Sequence, residues 1–365
     1  MYVCYTPLSS VTYQKGVITM ENIKNKNNIV IEAKDMTKSF KTYESHASRK
    51  GFLSSIRRRY YIKRALNNVS FSIRQGEIVA LLGENGSGKS TVIKLLTGIL
   101  HPDSGEANII GFTPWEHRQE LAENIGVVLG AHNQLWWNLP VIDSFEFMRR
   151  LYGVPKKDYD KRMRYFVDLL DLKDVYKRQV RQLSLGERMK CNFVASMLHM
   201  PRLVFLDEPT IGVDLPSSFA LRNALLELRD KYNITFLIAT HIIEDIKIMA
   251  ERVIIMDHGM KVFDGPKAAV TKMFGDKKLV EITMKDGAES YPKGIGKLIE
   301  RKNNQYRIEI DARGIKDKRL SRFLASGDVI NYNITEPEFG AVLHEFYSRR
   351  ARANGIRSRS RRYIR

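Results

Sequence analysis

The sequence feature that most constrains the fold is a glycine-rich segment with the pattern G-x-x-x-x-G-K-[ST] at residues 83–91. It follows an apolar run at 78–82 and precedes a helical pattern at 92–100, the strand–loop–helix context that a phosphate-binding loop requires. Glycines let such a loop curl so that backbone N–H groups and the helix N-terminus point at phosphate oxygens. The predicted phosphate-binding residues are Gly83, Glu84, Asn85, Gly86, Ser87, Gly88, Lys89, Ser90 and Thr91.

Within this loop, we expect Lys89 to reach the outer phosphates and the Ser90 hydroxyl to bind Mg²⁺. A second apolar run, at 203–206, ends in Asp207 and Glu208. A buried strand that ends in two acids delivers them to the carboxyl edge of a sheet, where α/β folds bind ligands. We expect Asp207 to hold Mg²⁺ through water and Glu208 to act as the general base. An Asp-Glu pair alone is more often a solvated turn, but the upstream phosphate loop favours the functional interpretation.

The rest of the chain indicates an α/β fold with a smaller companion. Residues 29–266 alternate β-rich runs with helical patterns, which is typical of a parallel sheet covered by helices. Apolar residues at helical spacing dominate residues 143–180, so we expect a helical lobe there. No internal repeat is visible in the sequence, so we expect one nucleotide-binding unit. After 266 the pattern predicts a small α+β domain, with strands at 279–283, 306–310 and 329–334 and a helix whose shared face holds Phe339, Leu343 and Phe346.

These patterns predict a division of the chain into four parts. The first is a disordered N-terminal extension at 1–26, and the last is an Arg-rich tail at 348–365. Between them lie the nucleotide-binding domain at 27–268 and the α+β domain at 276–347. Within the nucleotide-binding domain we expect a basic insertion at 41–64 and the helical lobe at 140–182.

Most of the net charge of +19 lies in two of these segments. Residues 41–64 carry a net +7 and residues 348–365 a net +8, which leaves +4 on the rest of the chain. A basic patch spread over the folded body would favour nucleic acid as a partner, whereas basic appendages do not. No apolar run approaches the ~20 residues that a membrane-spanning helix needs. We therefore expect a soluble or peripheral protein. Its two cysteines, Cys4 and Cys191, offer no disulfide framework, which suits a reducing cytoplasm.

Three further motifs give the chain a family resemblance. The segment Leu183-Ser184-Leu185-Gly186-Glu187 resembles the signature loop of ABC ATPases, His241 after Ala239-Thr240 resembles their switch histidine, and Asp214 their D-loop aspartate. With the phosphate loop and the acidic strand, these motifs occur in the family's order over about 29–266. The resemblance implies a P-loop NTPase sheet core with a helical lobe, ATP and Mg²⁺ as ligands, and ATP hydrolysis.

The resemblance also implies roles and partners. Two copies would pack head to tail, with Ser184 and Gly186 of one chain capping the γ-phosphate held by the other. His241 would sense that phosphate, and Phe40, or Tyr43 beside it, would stack on adenine. Two residues depart from the family pattern. Leu185 stands where most members have glycine, and where the family presents a metal-binding glutamine the best-aligned residue is Ala131, so that Gln134 takes the role only in a longer loop.

Two segments bear on the partner. The neighbouring Trp136 and Trp137 suit a groove that receives a helix of a membrane permease, or they plug the seam between sheet and lobe. The basic insertion suits an anionic membrane surface, or it is a solvated hairpin. Together with the Leu-Ser-Leu-Gly signature, these features resemble subunits paired with type-2-exporter permeases. We thus expect an export ATPase, peripheral on the inner face of the membrane. One alternative is an importer ATPase. The other is a soluble ABC ATPase acting on nucleic acid or ribosomes, and only the arginine tail supports this second alternative.

Overall fold

The computed structural model describes residues 29–43, 60–130, 133–272, 277–285, 296–311 and 318–335. Several predicted features lie outside these ranges. They are the N-terminal extension, most of the basic insertion, Ala131, the helix with Phe339, Leu343 and Phe346, and the Arg-rich tail.

The centre of the fold is a six-stranded sheet. Its strands are β3 (Ile78–Leu82), β5 (Ile125–Leu129), β6 (Leu203–Asp207), β7 (Thr235–Thr240), β8 (Arg252–Asp257) and β9 (Met260–Pro266). Their order is β5-β6-β7-β3-β8-β9, in which the first five are parallel and β9 is antiparallel to β8. Every residue of β3, β6 and β7 is buried, as expected of parallel strands covered on both faces. The predicted α/β fold class is confirmed.

Helices cover both faces of this sheet, and alternate residues of each strand enter different cores. In β6, Leu203 and Phe205 pack with α1, whereas Val204 and Leu206 join the cluster formed with the helical lobe and α5. The helices are α1 (Lys89–Leu96), α2 (Arg118–Asn124), α3 (Val141–Leu151), α4 (Lys156–Leu169), α5 (Leu185–Met197), α6 (Leu215–Tyr232), α7 (Ile243–Met249) and α8 (Lys267–Lys272). Among the described residues, none of the helices is long and apolar enough to cross a membrane.

A separate antiparallel sheet lies beside the parallel one, and the sequence pattern did not distinguish the two. It has the order β2-β1-β4, with β1 at Ile29–Tyr43, β2 at Tyr60–Arg74 and β4 at Ser104–Ile109. Strands β1 and β2 are consecutive in the chain and pair antiparallel, an arrangement that needs no crossover helix. Strands β1 and β2 also continue into the predicted basic insertion, where Lys41 pairs with Ile62 and Thr42 with Tyr61. The described ends of that insertion are therefore a β-hairpin.

The C-terminal part of the chain forms a four-stranded antiparallel sheet with the order β11-β12-β10-β13. Its elements are β10 (Lys277–Met284), β11 (Lys297–Lys302), β12 (Gln305–Asp311), α9 (Lys318–Leu324) and β13 (Val329–Thr335). One face carries a core of Val280, Ile282, Met284, Tyr306, Ile308, Ile310 and Leu320. The sequence pattern indicated β10, β12 and β13. It missed β11, whose residues are charge-rich and mostly exposed and so show no apolar alternation.

His199, just beyond α5, ties this helix to the sheet and to the lobe. Its Nε2 lies 3.0 Å from the Ile125 carbonyl oxygen, and its ring stacks on Tyr152 with 4.0 Å between centroids. Burial lowers the pKa of His199 to about 4. The unfolded chain, with an ordinary histidine, binds a proton between about pH 6.5 and pH 4, whereas the folded chain does not. Folding stability therefore rises with pH across this window.

We expect the His199→Gln variant to lose this pH dependence. Glutamine keeps a side-chain N–H for the Ile125 carbonyl but does not titrate. Between pH 7 and pH 5 the wild-type free energy of unfolding should fall by about 2 kcal/mol more than that of the variant. Urea denaturation of both proteins at the two pH values measures the difference. If the free energy of unfolding fell by the same amount in both proteins, His199 would not be a buried neutral histidine.

Candidate nucleotide-binding site

The glycine-rich loop between β3 and α1 has the backbone that a phosphate cradle needs. Gly86 and Gly88 have φ values of 86° and 108°, in the left-handed region that favours glycine. A Cβ on Gly83 would lie 2.5 Å from the Met256 carbonyl oxygen, and one on Gly88 would lie 2.7 Å from that of Ala65. The loop is thus held against β8 and β2 by contacts that exclude side chains.

Lys89, the first residue of α1, folds back over this loop. Its Nζ donates to the carbonyl oxygens of Gly83, at 2.7 Å, and Glu84, at 3.2 Å, and lies 3.7 Å from the Glu208 carboxylate. Burial lowers the pKa of Lys89, while Glu208 and Asp207 oppose that shift. The ammonium group is therefore a desolvated cation, which attracts phosphate more strongly than an exposed one.

The acidic strand ends beside the loop, as expected. Asp207 is the last residue of β6 and is 8% exposed. Burial raises the pKa of Asp207, although a hydrogen bond with Ser90 and the charge of Lys89 lower it. Glu208 has a φ of 52°, uncommon for a residue other than glycine, and its N–H donates to the Ala239 carbonyl oxygen at 2.8 Å. This backbone turns the Glu208 side chain out of the strand direction.

His241 completes this group. It follows β7, the neighbour of β6, and its Nδ1 lies 2.8 Å from a Glu208 carboxylate oxygen. The phosphate loop, Lys89, Asp207, Glu208 and His241 thus meet at the carboxyl edge of the parallel strands. Buried polar atoms are normally hydrogen-bonded, yet Asp207 Oδ1 and Ser87 Oγ have no partner among the described residues. The open carboxylate oxygen of Asp207 suits Mg²⁺, and the open Ser87 hydroxyl near Lys89 suits a phosphate oxygen.

The signature segment forms the start of α5. Ser184 caps this helix: its hydroxyl accepts the Glu187 N–H at 3.1 Å, and the Glu187 carboxylate accepts the Ser184 N–H at 2.8 Å. Glu187 also accepts a hydrogen bond from Arg178 at 3.0 Å, a contact that the motif itself did not predict. Ser184 stays exposed, so its remaining hydrogen-bonding capacity faces outward.

Gly186 and the D-loop aspartate are in direct contact. A Cβ on Gly186 would clash with Asp214 Oδ2 and with the Ser217 hydroxyl. Asp214 in turn caps α6, accepting the Ser217 N–H at 2.8 Å. Leu185, the departure from the family pattern, packs beside Gly212. Signature and D-loop are therefore adjacent. Among the described residues, however, no hydrogen bond or ion pair joins Ser184 or Asp214 to the phosphate loop of the same chain.

Phe40, expected to stack on adenine, lies on β1 with 37% of its surface exposed. It pairs with Lys63 on β2, two residues before Ala65, which touches the phosphate loop at Gly88. The Phe40 ring is therefore partly exposed near the loop, and the Lys38 Nζ lies 5.9 Å from its centroid. The side chain of its rival Tyr43 lies outside the described part of the structure.

Gln134 is the predicted site residue that the structure does not bring to the cluster. Its side-chain amide donates to the Val127 carbonyl oxygen within β5, and its backbone N–H donates to Asn192 at 3.1 Å. In the described residues no hydrogen bond links Gln134 to Ser90 or Asp207. The amide N–H holds the loop after β5 against the sheet, and the metal role of Gln134 stays a prediction.

Trp136 and Trp137 follow in the same loop, and both remain about half exposed, at 45% and 50%. Trp136 packs against Phe147 of α3, with ring centroids 4.6 Å apart. The guanidinium carbon of Arg188, on the signature helix, lies 5.4 Å from the Trp137 ring centroid. Each tryptophan thus contacts one neighbouring side chain and leaves about half of its surface open to a partner.

The fold and the site define a nucleotide-binding protein of the phosphate-loop class, and comparison with known proteins narrows the class. The sequence profile of the ABC transporter family matches residues 66–211. The chain is 29% identical over 204 residues to the ABC transporter ATP-binding protein NatA of Bacillus subtilis, covering 56% of this chain and 82% of NatA. It is 31% identical over 236 residues to the sulfate/thiosulfate import ATP-binding protein CysA 1 of Agrobacterium fabrum, covering 61% and 68%.

Solved structures agree with the fold. The dimeric ATP-binding cassette MJ0796 bound to ADP and Pi superimposes with a TM-score of 0.55 at 22% identity, over 65% of this chain and 98% of the cassette. The chain therefore belongs to the ATP-binding subunits of the ABC transporter family. It is an ATPase.

Proposed function

We propose that this chain hydrolyses ATP at two composite sites of a head-to-tail homodimer and thereby drives export through a separate membrane permease. The observation that carries the enzymatic part is the meeting of Lys89, Glu208 and His241, with Glu208 2.8 Å from His241 and 3.7 Å from Lys89. A base, a cation and a hydrogen-bonding histidine at the mouth of a phosphate cradle are the groups that phosphoryl transfer to water requires.

Each group has a role in the proposed reaction. The loop N–H groups and Lys89 hold the phosphates of ATP and offset charge on the oxygens. Glu208 accepts the proton of the water that attacks the γ-phosphorus, and its turned-out backbone aims the carboxylate at that water. His241 contacts the γ-phosphate and holds the base in place. Phe40 supplies an aromatic face to adenine.

Ser90 and Asp207 are the residues that would hold Mg²⁺. Ser90 is close enough to Asp207 to lower the pKa of its carboxyl, and Asp207 Oδ1 has no hydrogen-bond partner among the described residues. When bound, Mg²⁺ supplies positive charge that offsets the negative charge developing on the phosphate oxygens. A metal ion next to Asp207 would also favour its ionised form, against the effect of burial.

The second copy supplies what one chain lacks. Gly186 contacts Asp214, and no hydrogen bond or ion pair of the described residues joins Ser184 or Asp214 to the phosphate loop of the same chain, which leaves them available to cap the loop of a partner. The surface around Asp214 is apolar: Ile211 is 42% exposed, Leu215 82% and Phe219 58%. Apolar side chains left open around such a motif favour a protein interface. The cassette MJ0796, whose fold is similar, is dimeric in its structure with ADP and Pi.

A second apolar surface suits the permease. It comprises Trp136, Trp137, Leu139, Phe147 and Leu151, which are all between 41% and 62% exposed. We call it the aromatic patch. Exposed tryptophans at the centre of such a patch are the residues that dominate the energy of protein interfaces. Because the patch starts in the loop after β5 and touches the signature helix through Arg188, a permease helix bound there would contact both.

The hairpin formed by β1 and β2 supports a position at the membrane surface. Tyr60, Tyr61 and Ile62 are exposed beside Lys63 and Arg64. Aromatic residues next to basic ones suit the interface of an anionic membrane. We propose that the chain is peripheral to the cytoplasmic face and that the hairpin contributes to this placement.

Export is favoured over import by the hairpin insertion, the tryptophan pair and the Leu-Ser-Leu-Gly signature, which resemble exporter subunits. Import is the second candidate, because CysA 1, a sulfate/thiosulfate import subunit, is as similar to the chain as the other relatives are. Nucleic acid is not favoured, because most of the positive charge lies in residues 41–64 and 348–365 and is not spread over the rest of the chain.

The partner can be tested by affinity capture from mildly solubilised, nuclease-treated native membranes. We expect the full chain to retain a polytopic membrane protein, and the Trp136→Ala/Trp137→Ala variant to retain at least about tenfold less of it. Ile330→Ser, which alters an exposed apolar residue of the C-terminal sheet, is the matched control and should capture as much as the wild type. Recovery of ribosomal or DNA-repair proteins instead would contradict the transport role. Cargo accumulation in, or loss from, vesicles with the captured permease then decides between export and import.

A further inference from the structure

A buried carboxylate outside the phosphate-contacting residues joins several elements behind the site. Asp245, in the first turn of α7, is 1% exposed. Its Oδ1 accepts from the Arg222 guanidinium of α6, with Nε at 2.8 Å and Nη2 at 2.7 Å. Its Oδ2 accepts from the hydroxyls of Thr210 and Thr240, the latter at 3.2 Å. One side chain therefore holds three other segments.

The two threonines belong to the turns that carry the reacting groups. Thr210 lies two residues after Glu208, and Thr240 immediately precedes His241. The Thr240 hydroxyl also accepts the N–H of Ile242, so it fixes the backbone on both sides of His241. Because both hydroxyls donate to the same Asp245 oxygen, Asp245 sets the separation between the two turns. Glu208 and His241 meet on the other side of these turns, 2.8 Å apart.

The arrangement requires a carboxylate. All four groups that reach Asp245 are donors, two N–H groups from Arg222 and two hydroxyls, and an ionised carboxylate is acceptor-only. An asparagine would place an N–H against one of these donors. The simplest alternative is that Arg222 and Asp245 merely fasten α6 to α7. That alternative accounts for the ion pair but gives no reason for the two threonines.

We propose that Asp245 is a positioning residue for ATP hydrolysis, which acts through Thr210 and Thr240 to hold Glu208 and His241 at working distance. The proposal rests on the roles assigned above to Glu208 and His241. Arg222 extends the connection to α6, the helix capped by the D-loop residue Asp214. The position of the base and the histidine is thus linked to the element that faces the second copy.

The first test replaces the ion pair by apolar side chains of similar size, in the Arg222→Met/Asp245→Leu double variant of the full chain. Such replacements commonly preserve a fold because no unpaired charge is left buried. We expect a thermal midpoint close to that of the wild type, an ATP Kd within about threefold, and a kcat at least about tenfold lower, because the reacting groups are misplaced by a fraction of an ångström. A stable variant with wild-type kcat would overturn the proposal.

The second test keeps the ion pair and removes one hydroxyl. We expect Thr240→Val to lower kcat at least about tenfold in the wild type but less than about twofold in a His241→Ala background, because the hydroxyl acts through the histidine. Thr235→Val is the control. Thr235 is fully buried at the other end of the same strand, where its hydroxyl accepts the Gly76 N–H, and its loss should leave kcat unchanged.

The outcomes distinguish the positioning role of Asp245 from the proposed role of His241 in hydrolysis. Equal losses from Thr240→Val in both backgrounds would show a general structural role and overturn the positioning proposal alone. A His241→Ala single variant that hydrolyses ATP at the wild-type rate would overturn the proposed role of His241, and with it the positioning proposal.

Discussion

Replacing Glu208 by glutamine will lower the kcat for ATP hydrolysis at least about 100-fold while leaving the ATP Kd within about threefold. Glutamine matches the size of glutamate and can still hydrogen-bond to His241, but its amide cannot take the proton of the attacking water. The carboxylate lies 2.8 Å from His241 and 3.7 Å from Lys89, so the neutral side chain leaves the phosphate-binding groups in place. Steady-state phosphate release and equilibrium ATP binding measure the two quantities.

The same variant should also accumulate as a dimer. In the proposed cycle, two chains close around ATP and separate after hydrolysis, so a chain that binds without hydrolysing remains closed. We expect the Glu208→Gln protein to elute at twice the monomer mass with Mg-ATP and as a monomer with Mg-ADP. Size-exclusion chromatography with light scattering distinguishes the two states.

Glu251→Gln is the matched control for this experiment. Glu251 is exposed over 84% of its side chain and pairs only at the surface with Arg229, at 3.1 Å. Its replacement should leave both kcat and the nucleotide-dependent mass unchanged. If Glu208→Gln itself turned over at the parent rate, Glu208 would not be the base.

The parts of the site that could be predicted are those encoded by short, contiguous motifs. The phosphate loop and the Asp207–Glu208 pair each consist of a few adjacent residues that follow an apolar strand, so the sequence alone predicts their positions. Because parallel strands end at a common edge of the sheet, the fold class also predicted that the phosphate loop and the acidic pair lie close together. The order of the strands, and so the contact between Glu208 and His241, needed the structure.

The parts that could not be predicted depend on distant residues or on backbone conformation. Asp245 accepts hydrogen bonds from residues 35, 23 and 5 positions away in the sequence. No local sequence pattern distinguishes it from a solvated helix residue. The left-handed backbone of Glu208 is rare for glutamate and is imposed by its surroundings. Gln134 has the chemistry of a metal ligand, but tertiary contacts commit its amide to β5.

The composite nature of the site leads to the second large prediction. Lys89→Ala removes the cation of the phosphate loop, and Gly186→Ala inserts a methyl group that clashes with Asp214 and Ser217 in the capping segment. Each variant alone should hydrolyse ATP at least about 100-fold more slowly than the wild type, since each homodimer has two damaged sites. Lys89→Ala should also weaken ATP binding, whereas Gly186→Ala should bind ATP normally.

Mixing the two variants should restore activity, because of the symmetry of a head-to-tail dimer. In the mixed dimer one site combines both damaged parts, and the other combines the intact phosphate loop of one chain with the intact signature of its partner. An equimolar mixture that pairs at random should therefore recover about a quarter of the wild-type rate per chain. A site complete within one chain predicts no recovery at all.

Nucleotide trapping gives a readout that does not require turnover. With Glu208→Gln added to both chains, the mixed dimer should retain about one ATP after gel filtration, and either parent alone should retain almost none. A mixture of Lys89→Ala with a second phosphate-loop variant, Ser90→Ala, is the matched control, since it repairs neither loop in any pairing. Trapping in the first mixture but not in the control would place the signature of one chain over the phosphate loop of the other.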